Sequence, residues 1–195
     1  NWDKTFNQSD RKHIYQEKIK YLKDNKFIYP CFESPEELSL KKKSLLISGK
    51  PPIYDRSALN LTQKNIDKFI SEGKKPHWRF KLEGGNIQWV DLIKGNVSFE
   101  SKNLSDPVLI REDGSLLYHL PSVIDDIEEK ITDIIRGDDH ISNTAFHIQI
   151  FKALDSNLPN FGHHPFLTDN DGKGFSKRLG SLSIKKLKED GFENI

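Results

Sequence analysis

Apolar positions keep a helical spacing toward both ends of this chain and an alternating one in the middle. In "SDRKHIYQEKIKYLKDN" (9–25), Ile14, Tyr15, Ile19 and Leu22 form a stripe at helical spacing, which predicts a helix with Ser9 as its N-cap. "FIYPCFE" is strand-like but interrupted by Pro30. "SPEELSLKKKSLLISG" then carries Ser34 as N-cap, Pro35 at the first helical position and Glu37 to close a capping box, with Gly49 ending the helix. "KPPIYDRSALNLT" reads as a loop and residues 62–73 as a short helix.

The period then changes. "HWRFKLE", "NIQWVDL" and "NVSFES" alternate apolar and polar residues and are separated by Gly84-Gly85 and Gly95-Asn96. This predicts one small antiparallel β-region over 77–110. After Tyr118 the pattern reads helix ("SVIDDIEEK"), buried strand (131–135, delivering Arg136 at its end), helix ("HISNTAFHIQIFKALD"), strand ("FGHHPFLT") and helix ("SIKKLKEDG", closed by Gly191). Alternating strands and helices with short connections predict a parallel α/β unit. The order helix, α+β, α/β predicts an α/β domain interrupted by an inserted module.

Composition narrows the function classes. Hydrophobic residues are 35% and charged residues 30% of 195, mean hydropathy is −0.66, and no run approaches the ~20 apolar residues of a membrane span. Net charge is +1, so nucleic-acid binding requires local patches rather than a global field. Cys31 is the single cysteine, which excludes an internal disulfide and a multi-cysteine zinc site and suits a reducing, cytoplasmic setting. The chain contains no methionine and is expected to be a piece of something longer.

Several stretches could carry chemistry. In a parallel α/β sheet, ligands bind beyond the carboxyl ends of the strands. There, Arg136 can hold a carboxylate through two parallel hydrogen bonds, and Gly137 permits close backbone approach. Asp138 and Asp139 can accept from ribose hydroxyls or help hold Mg²⁺, and the helix beginning near His140 offers backbone N–H groups to an anion. The same residues read equally as a strand-to-helix turn with aspartate caps. His163 and His164 are strand neighbours, so at most one faces a site, and the seven histidines show no metal-ligand clustering. Tyr118 could bind a small substrate or be a half-buried aromatic with its hydroxyl paired. "LKKKSLL", "GKPPIYDR" and "GKKPHWRFK" place basic residues beside Tyr54 and Trp78, suited to phosphates and exposed bases, or simply to a solvated helix face. "GKGFSKRLGS" (172–181) reads as a surface turn or as a mobile loop that neutralises phosphates.

"DPVLIREDGSLLYHLPSVIDD", "ITDIIRGDDHISNT", "NFGHHPFL" and "GFSKRLGSLSIKKLKEDGF", in this order and spacing, resemble the bacterial glutamyl-tRNA synthetases of class I over essentially the whole chain. The resemblance implies an α/β, Rossmann-like nucleotide-binding fold with an inserted α+β acceptor-stem module. It divides the chain into the end of the first catalytic half (1–29), the tRNA-gripping insertion (30–117) and the second catalytic half with the signature loop (118–195). It implies that the glutamate α-carboxylate attacks the α-phosphate of ATP, bound with Mg²⁺, and that the acyl group passes to the terminal adenosine of tRNA(Glu).

Lys177 is then expected to neutralise the phosphates, with Ser176 and Arg178 shaping the loop. Asp138, Asp139, His140, His163 and Lys173 would line the nucleotide pocket. Tyr118 and Arg136 would hold glutamate, and Arg56, Lys74, Lys75 and Arg79 would meet the tRNA. A cytoplasmic monomer is expected. The family's His-x-Gly-His motif and its anticodon-binding domain are not found in the chain, so it is expected to be inactive alone. Gly174 stands where the signature loop has its first lysine, with Lys173 as a partial substitute. Some relatives bind zinc through cysteines in the insertion; with Cys31 alone, none is expected here. Rival readings are a glutaminyl-tRNA synthetase, a paralogue that attaches glutamate to a modified tRNA base (glutamyl-queuosine), or a non-catalytic RNA-binding piece.

Overall fold

The computed structural model describes residues 5–166 together with Lys188 and Gly191. The first helix, α1 (Lys12–Asp24), is entered through a 3-10 turn over Gln8–Arg11. Ser9 therefore lies inside that turn rather than capping α1, and its hydroxyl donates to Asp10. The turn carries Arg11 inward, where it pairs with Asp125 and Glu129, each at 2.8 Å. Strand β1 (Ile28–Cys31) tolerates Pro30 because it is an edge strand. Helix α2 (Pro35–Ile47) has the expected capping box between Ser34 and Glu37. In α3 (Gln63–Ser71), Thr62 and Asn65 form the same reciprocal cap.

The middle region departs from its expectation. Strands β2 (His77–Phe80), β3 (Asn86–Asp91), β4 (Gly95–Glu100) and β5 (Val108–Ile110) are divided between two sheets. One sheet runs β1-β2-β5, antiparallel throughout. In the other, the β3–β4 hairpin joins the strands that follow helix α4 (His119–Glu128), namely β6 (Asp133–Gly137) and β7 (Asn160–His164), in the order β4-β3-β7-β6. β3 runs parallel to β7 with Asp91 opposite Phe161. Gly84-Gly85 thus marks a crossing between sheets, not a hairpin turn. The crossing is clasped by Gln149 of α5 (Ile141–Ala153), whose amide accepts from the Glu83 N–H at 2.7 Å and donates to its carbonyl at 3.3 Å.

The β6–α5–β7 unit is parallel, as expected, but its first strand begins two residues late. Helix α4 closes with Lys130 in the left-handed region, and the Ile131 N–H reaches back to the Asp126 carbonyl at 2.9 Å. Ile131 is used in the helix stop, so Arg136 falls inside β6, directly opposite His163 of β7. Nor is β6 buried on both faces: it is an edge of the described sheet, and Ile135 is 55% exposed.

One apolar core binds both sheets. Leu22 of α1, Phe80 of β2, Ile87 of β3, Leu109 of β5, Ile124 of α4, Ile148 and Phe151 of α5 and Phe161 of β7 belong to one packed cluster. Among the described residues, no helix is long and apolar enough to cross a membrane.

Candidate functional site

The carboxyl ends of β6 and β7 meet the first turn of α4 and the start of α5, and their side chains converge on Arg136. The register places Arg136 and His163 side by side on one face of the sheet. His164 points the other way and is exposed, as strand alternation requires. His140, Thr144 and His147 recur at helical spacing along the entry to α5, so one helix face supplies the rest of the wall.

Arg136 is held from four sides. One terminal nitrogen donates to the Tyr118 hydroxyl at 3.0 Å and faces Nδ1 of His147 at 3.4 Å. The other donates to Thr144 Oγ1 at 2.6 Å, and Nε donates to Nε2 of His163 at 3.4 Å. Every one of these partners is a neutral oxygen or an imidazole nitrogen. Among the described residues, no carboxylate forms an ion pair with Arg136. Its field still reaches Asp126, whose carboxyl is pushed up to about 6 by burial, with the Arg136 charge opposing the rise. Tyr118 is 46% exposed, so the mouth of this cluster opens to solvent.

Two histidines near the arginine, His147 and His119, are kept uncharged. Burial first, then the charges of Arg136 and of neighbouring histidines, lower His147 to about 2 and His119 to about 4. His147 is 1% exposed, and its Nε2 lies 3.1 Å from Nδ1 of His119. Since arginine only donates, Nδ1 of His147 must accept and its Nε2–H must point to His119. The Tyr118 ring packs against His119, His140 and His147 at centroid distances of 5.5–5.6 Å.

The strand-to-helix turn forms the second half of the site. Gly137 sits close to its neighbours: a Cβ there would lie 2.9 Å from Oδ1 of the exposed Asp139 side chain, which would have to shift, and 3.3 Å from the Phe166 ring. Asp138 pairs through Oδ2 with Lys94 at 2.7 Å, while its Oδ1 is buried and, among the described residues, lacks a hydrogen-bond partner. Asp139 is exposed beside His140, at 3.6 Å, and Nδ1 of His140 meets the Asn143 amide at 3.0 Å. Of the residues expected for the nucleotide pocket, Asp138, Asp139 and His140 thus gather at one turn. His163 is 0% exposed and supports Arg136 from beneath. Lys173, Ser176, Lys177 and Arg178 lie outside the described residues.

The residues expected to meet tRNA divide into two kinds. Lys74 and Lys75 are exposed. Arg79 is 8% exposed; it donates to the Asp106 carbonyl at 2.7 Å and stacks on the Tyr54 ring at 4.2 Å, so its charge is turned inward. Arg56, in the left-handed region, spends one terminal nitrogen on Asp106 at 2.7 Å and the Leu82 carbonyl at 2.9 Å. Both arginines border the interior around buried Asp106, Arg79 from within and Arg56 from a partly exposed position.

The same interior brings together Cys31, Glu33 and His77, whose ligand-type atoms lie within 4.8 Å of one another. A structural zinc takes four protein ligands, and these three fall one short. Glu33 Oε1 already accepts from Tyr54 at 2.7 Å and Ser57 at 3.0 Å, with Lys41 Nζ at 3.4 Å supplying the local positive charge. Burial pushes the Cys31 thiol up to about 12, the opposite of a metal-ready thiolate. Among the described residues, Glu33 Oε2 and His77 Nε2 are buried without a hydrogen-bond partner.

Sequence reasoning missed Asp91, Thr144, His119 and His147. Three of them carried a signal: Thr144 and His147 continue a helical face from His140, and His119 adjoins Tyr118. Asp91 carried none, since it reaches the site only through the β3–β7 pairing. Shape alone would also have led elsewhere. A cleft of about 470 Å³ lined by Glu33, Leu38, His77, Arg111 and Leu117 lies against the other sheet, away from Arg136.

Comparison with known proteins supplies an independent line. The sequence profile of the family described as "tRNA synthetases class I (E and Q), catalytic domain" matches residues 1–195. The chain is 52% identical over 193 residues to glutamate–tRNA ligase 1 of Maricaulis maris, covering 98% of this chain and 43% of that protein. It is 54% identical over 190 residues to glutamate–tRNA ligase 1 of Rickettsia bellii, covering 97% and 42% respectively. It therefore spans less than half the length of these curated relatives. A crystal structure of a glutamate tRNA ligase from Elizabethkingia meningosepticum, in complex with its amino acid, superposes with a TM-score of 0.82 at 28% identity, covering 98% of this chain and 39% of that one.

Proposed function

The chain belongs to the family of class I tRNA synthetase catalytic domains for glutamate and glutamine, and from that membership we propose that the protein carrying it ligates L-glutamate to tRNA(Glu) at the expense of ATP. One observation carries the choice of site: Arg136 is a half-buried cation with four side-chain partners, and among the described residues none of its partners is a carboxylate. A cation so placed has an unfilled demand for an anion, and a substrate carboxylate meets it with charge-assisted hydrogen bonds.

In this reading glutamate enters past Tyr118 and sets a carboxylate on Arg136. The α-carboxylate attacks the α-phosphorus of ATP; the bond to pyrophosphate breaks and glutamyl-adenylate forms. A ribose hydroxyl of the terminal tRNA adenosine then attacks the acyl carbon and AMP leaves. No side-chain nucleophile is needed, so the protein contributes positioning and charge neutralisation. Asp138, Asp139 and His140 form the nucleotide side. Asp138 Oδ1, buried and unpartnered among the described residues, is an acceptor suited to a ribose hydroxyl or to a water of the Mg²⁺ that accompanies ATP. Lys177 neutralises the leaving pyrophosphate, with Ser176 and Arg178 shaping the loop and Lys173 partly substituting for the lysine that Gly174 replaces. Lys74 and Lys75 face the acceptor end of tRNA, within an inserted module at 30–117 between catalytic segments at 1–29 and 118–195. A cytoplasmic monomer is the simplest setting.

Glutamate-dependent ATP–pyrophosphate exchange by the full-length protein, with and without tRNA and with glutamine as control, tests the proposal. Exchange with glutamate and none with glutamine is expected. Exchange with glutamine alone, or with neither amino acid, would overturn it.

A further inference from the structure

Asp91 ends β3 and is sealed from solvent, with both its side chain and that of His163 fully buried. Its two oxygens do different work. Oδ1 accepts from three backbone N–H groups: Ile93 at 3.1 Å, Lys94 at 3.0 Å and His163 at 3.0 Å. Oδ2 accepts from Nδ1 of His163 at 2.5 Å and from Trp89 Nε1 at 3.4 Å. Burial alone would raise this carboxyl. The His163 ring and the three backbone donors outweigh burial and hold the carboxyl well below the ordinary carboxylate range.

This arrangement leaves His163 one tautomer. Its Nδ1 faces an ionised carboxylate and must carry the proton. Its Nε2 faces the Arg136 Nε–H at 3.4 Å and the Thr144 hydroxyl at 2.9 Å. Arginine cannot accept, so Nε2 must present its lone pair. The Thr144 proton can then go to His163, which frees a Thr144 lone pair for the other Arg136 nitrogen at 2.6 Å. A proton on Nε2 would instead set N–H against N–H at the arginine.

We propose that Asp91 is a positioning residue for substrate glutamate: acting through His163, it fixes the tautomer whose Nε2 holds the Arg136 guanidinium in place. Asp91 itself touches neither the arginine nor the substrate. The inference rests on the reading of Arg136 as the glutamate-binding residue.

Asp91→Asn isolates the effect. The three backbone donors keep an oxygen at the Oδ1 position, so the amide nitrogen must take the Oδ2 position and face His163 Nδ1 with its own N–H. Trp89 cannot adapt, being a donor only, but His163 can, by moving its proton to Nε2. In the full-length enzyme with ¹⁵N-labelled histidine, and His163 assigned by loss of its signals in His163→Gln, the wild type should show a neutral ring protonated at Nδ1. D91N should show protonation at Nε2, with KM for glutamate raised at least fivefold and KM for ATP changed less than twofold.

If D91N switches the tautomer and leaves glutamate KM unchanged while Arg136→Lys raises it, the positioning role is overturned and the Arg136 reading stands. If neither variant changes glutamate KM, both fall together. Equal rises in both KM values mean general loosening and also overturn the proposal. Should D91N not fold, the wild-type ring decides, because an Nε2–H tautomer or a doubly protonated ring at pH 7 contradicts it directly.

Discussion

Arg136 and the pair Arg56 and Arg79 are all drawn partly out of bulk water, but their surroundings differ in charge. Arg56 donates to the carboxylate of Asp106, and Arg79 donates to the carbonyl of the same residue. Asp106 also accepts from the Tyr29 hydroxyl at 2.6 Å and the Leu82 N–H at 3.1 Å. In that knot Arg56 meets the Asp106 carboxylate directly, whereas Arg79 meets only the backbone carbonyl of the same residue. Around Arg136 the described partners are equally numerous, yet none is a carboxylate. The contrast is between Arg56, already paired with a buried carboxylate, and Arg136, for which we propose a substrate carboxylate, a distinction residue type and spacing do not make.

The comparison can be broken at its structural end first. Asp106→Ala removes the anion that Arg56 and Tyr29 share and should destabilise the protein by about 3–5 kcal/mol, as expected for uncoupling a buried charge. A urea midpoint equal to wild type would mean the knot is dispensable and the contrast empty. At the other end, Arg136→Lys should lower the urea midpoint clearly less than Asp106→Ala, because no ion pair among the described residues is lost and lysine still donates. It should raise the glutamate requirement at least tenfold, or about 1.4 kcal/mol of binding, since bidentate geometry goes. A loss of stability with unaltered glutamate dependence would reverse the roles assigned to the two clusters.

A smaller effect comes from pH. The folded state keeps His147 neutral down to about 2, whereas an unfolded histidine takes its proton near pH 6.5. The associated stability is fully present above about pH 6.5 and is lost as pH falls, by roughly 2 kcal/mol between 6.5 and 5. His147→Gln, which keeps an acceptor for Arg136, should flatten this dependence, and an unchanged pH profile of the urea midpoint would count against it. The smallest effect belongs to the exposed basic residues. Removing Lys74 and Lys75 together should weaken tRNA binding severalfold, and the loss should shrink at high salt. A loss that persists undiminished at high salt would show that they act by packing rather than by charge.

Much of the local structure was legible from residue order. The Ser34–Glu37 capping box, the helix closing at Gly49 and the parallel β6–α5–β7 unit follow from patterns confined to a few neighbouring residues. The failures were of a different kind. Alternation over 77–110 announces strands but not which strands pair, and the pairing splits them between two sheets. Ile131 looked like a strand residue because its role in the α4 stop depends on Lys130 adopting a left-handed conformation that Lys rarely takes. Which way Arg79 points was likewise not legible, because a basic residue beside aromatics reads the same whether it faces solvent or Asp106.

The candidate site divides along the same line. Arg136, Tyr118 and the Asp138–His140 turn could be named from sequence because their chemistry is tied to a strand end and a helix start that neighbouring residues specify. That Tyr118 and Arg136 touch, that His147 is held neutral beside the arginine, and that Asp91 hydrogen-bonds His163 from 72 residues away were decided by strand register and helix packing. A hydrogen bond depends on ångström-scale placement of donor and acceptor, and across a sheet that placement is set by the whole fold rather than by the neighbours of either residue.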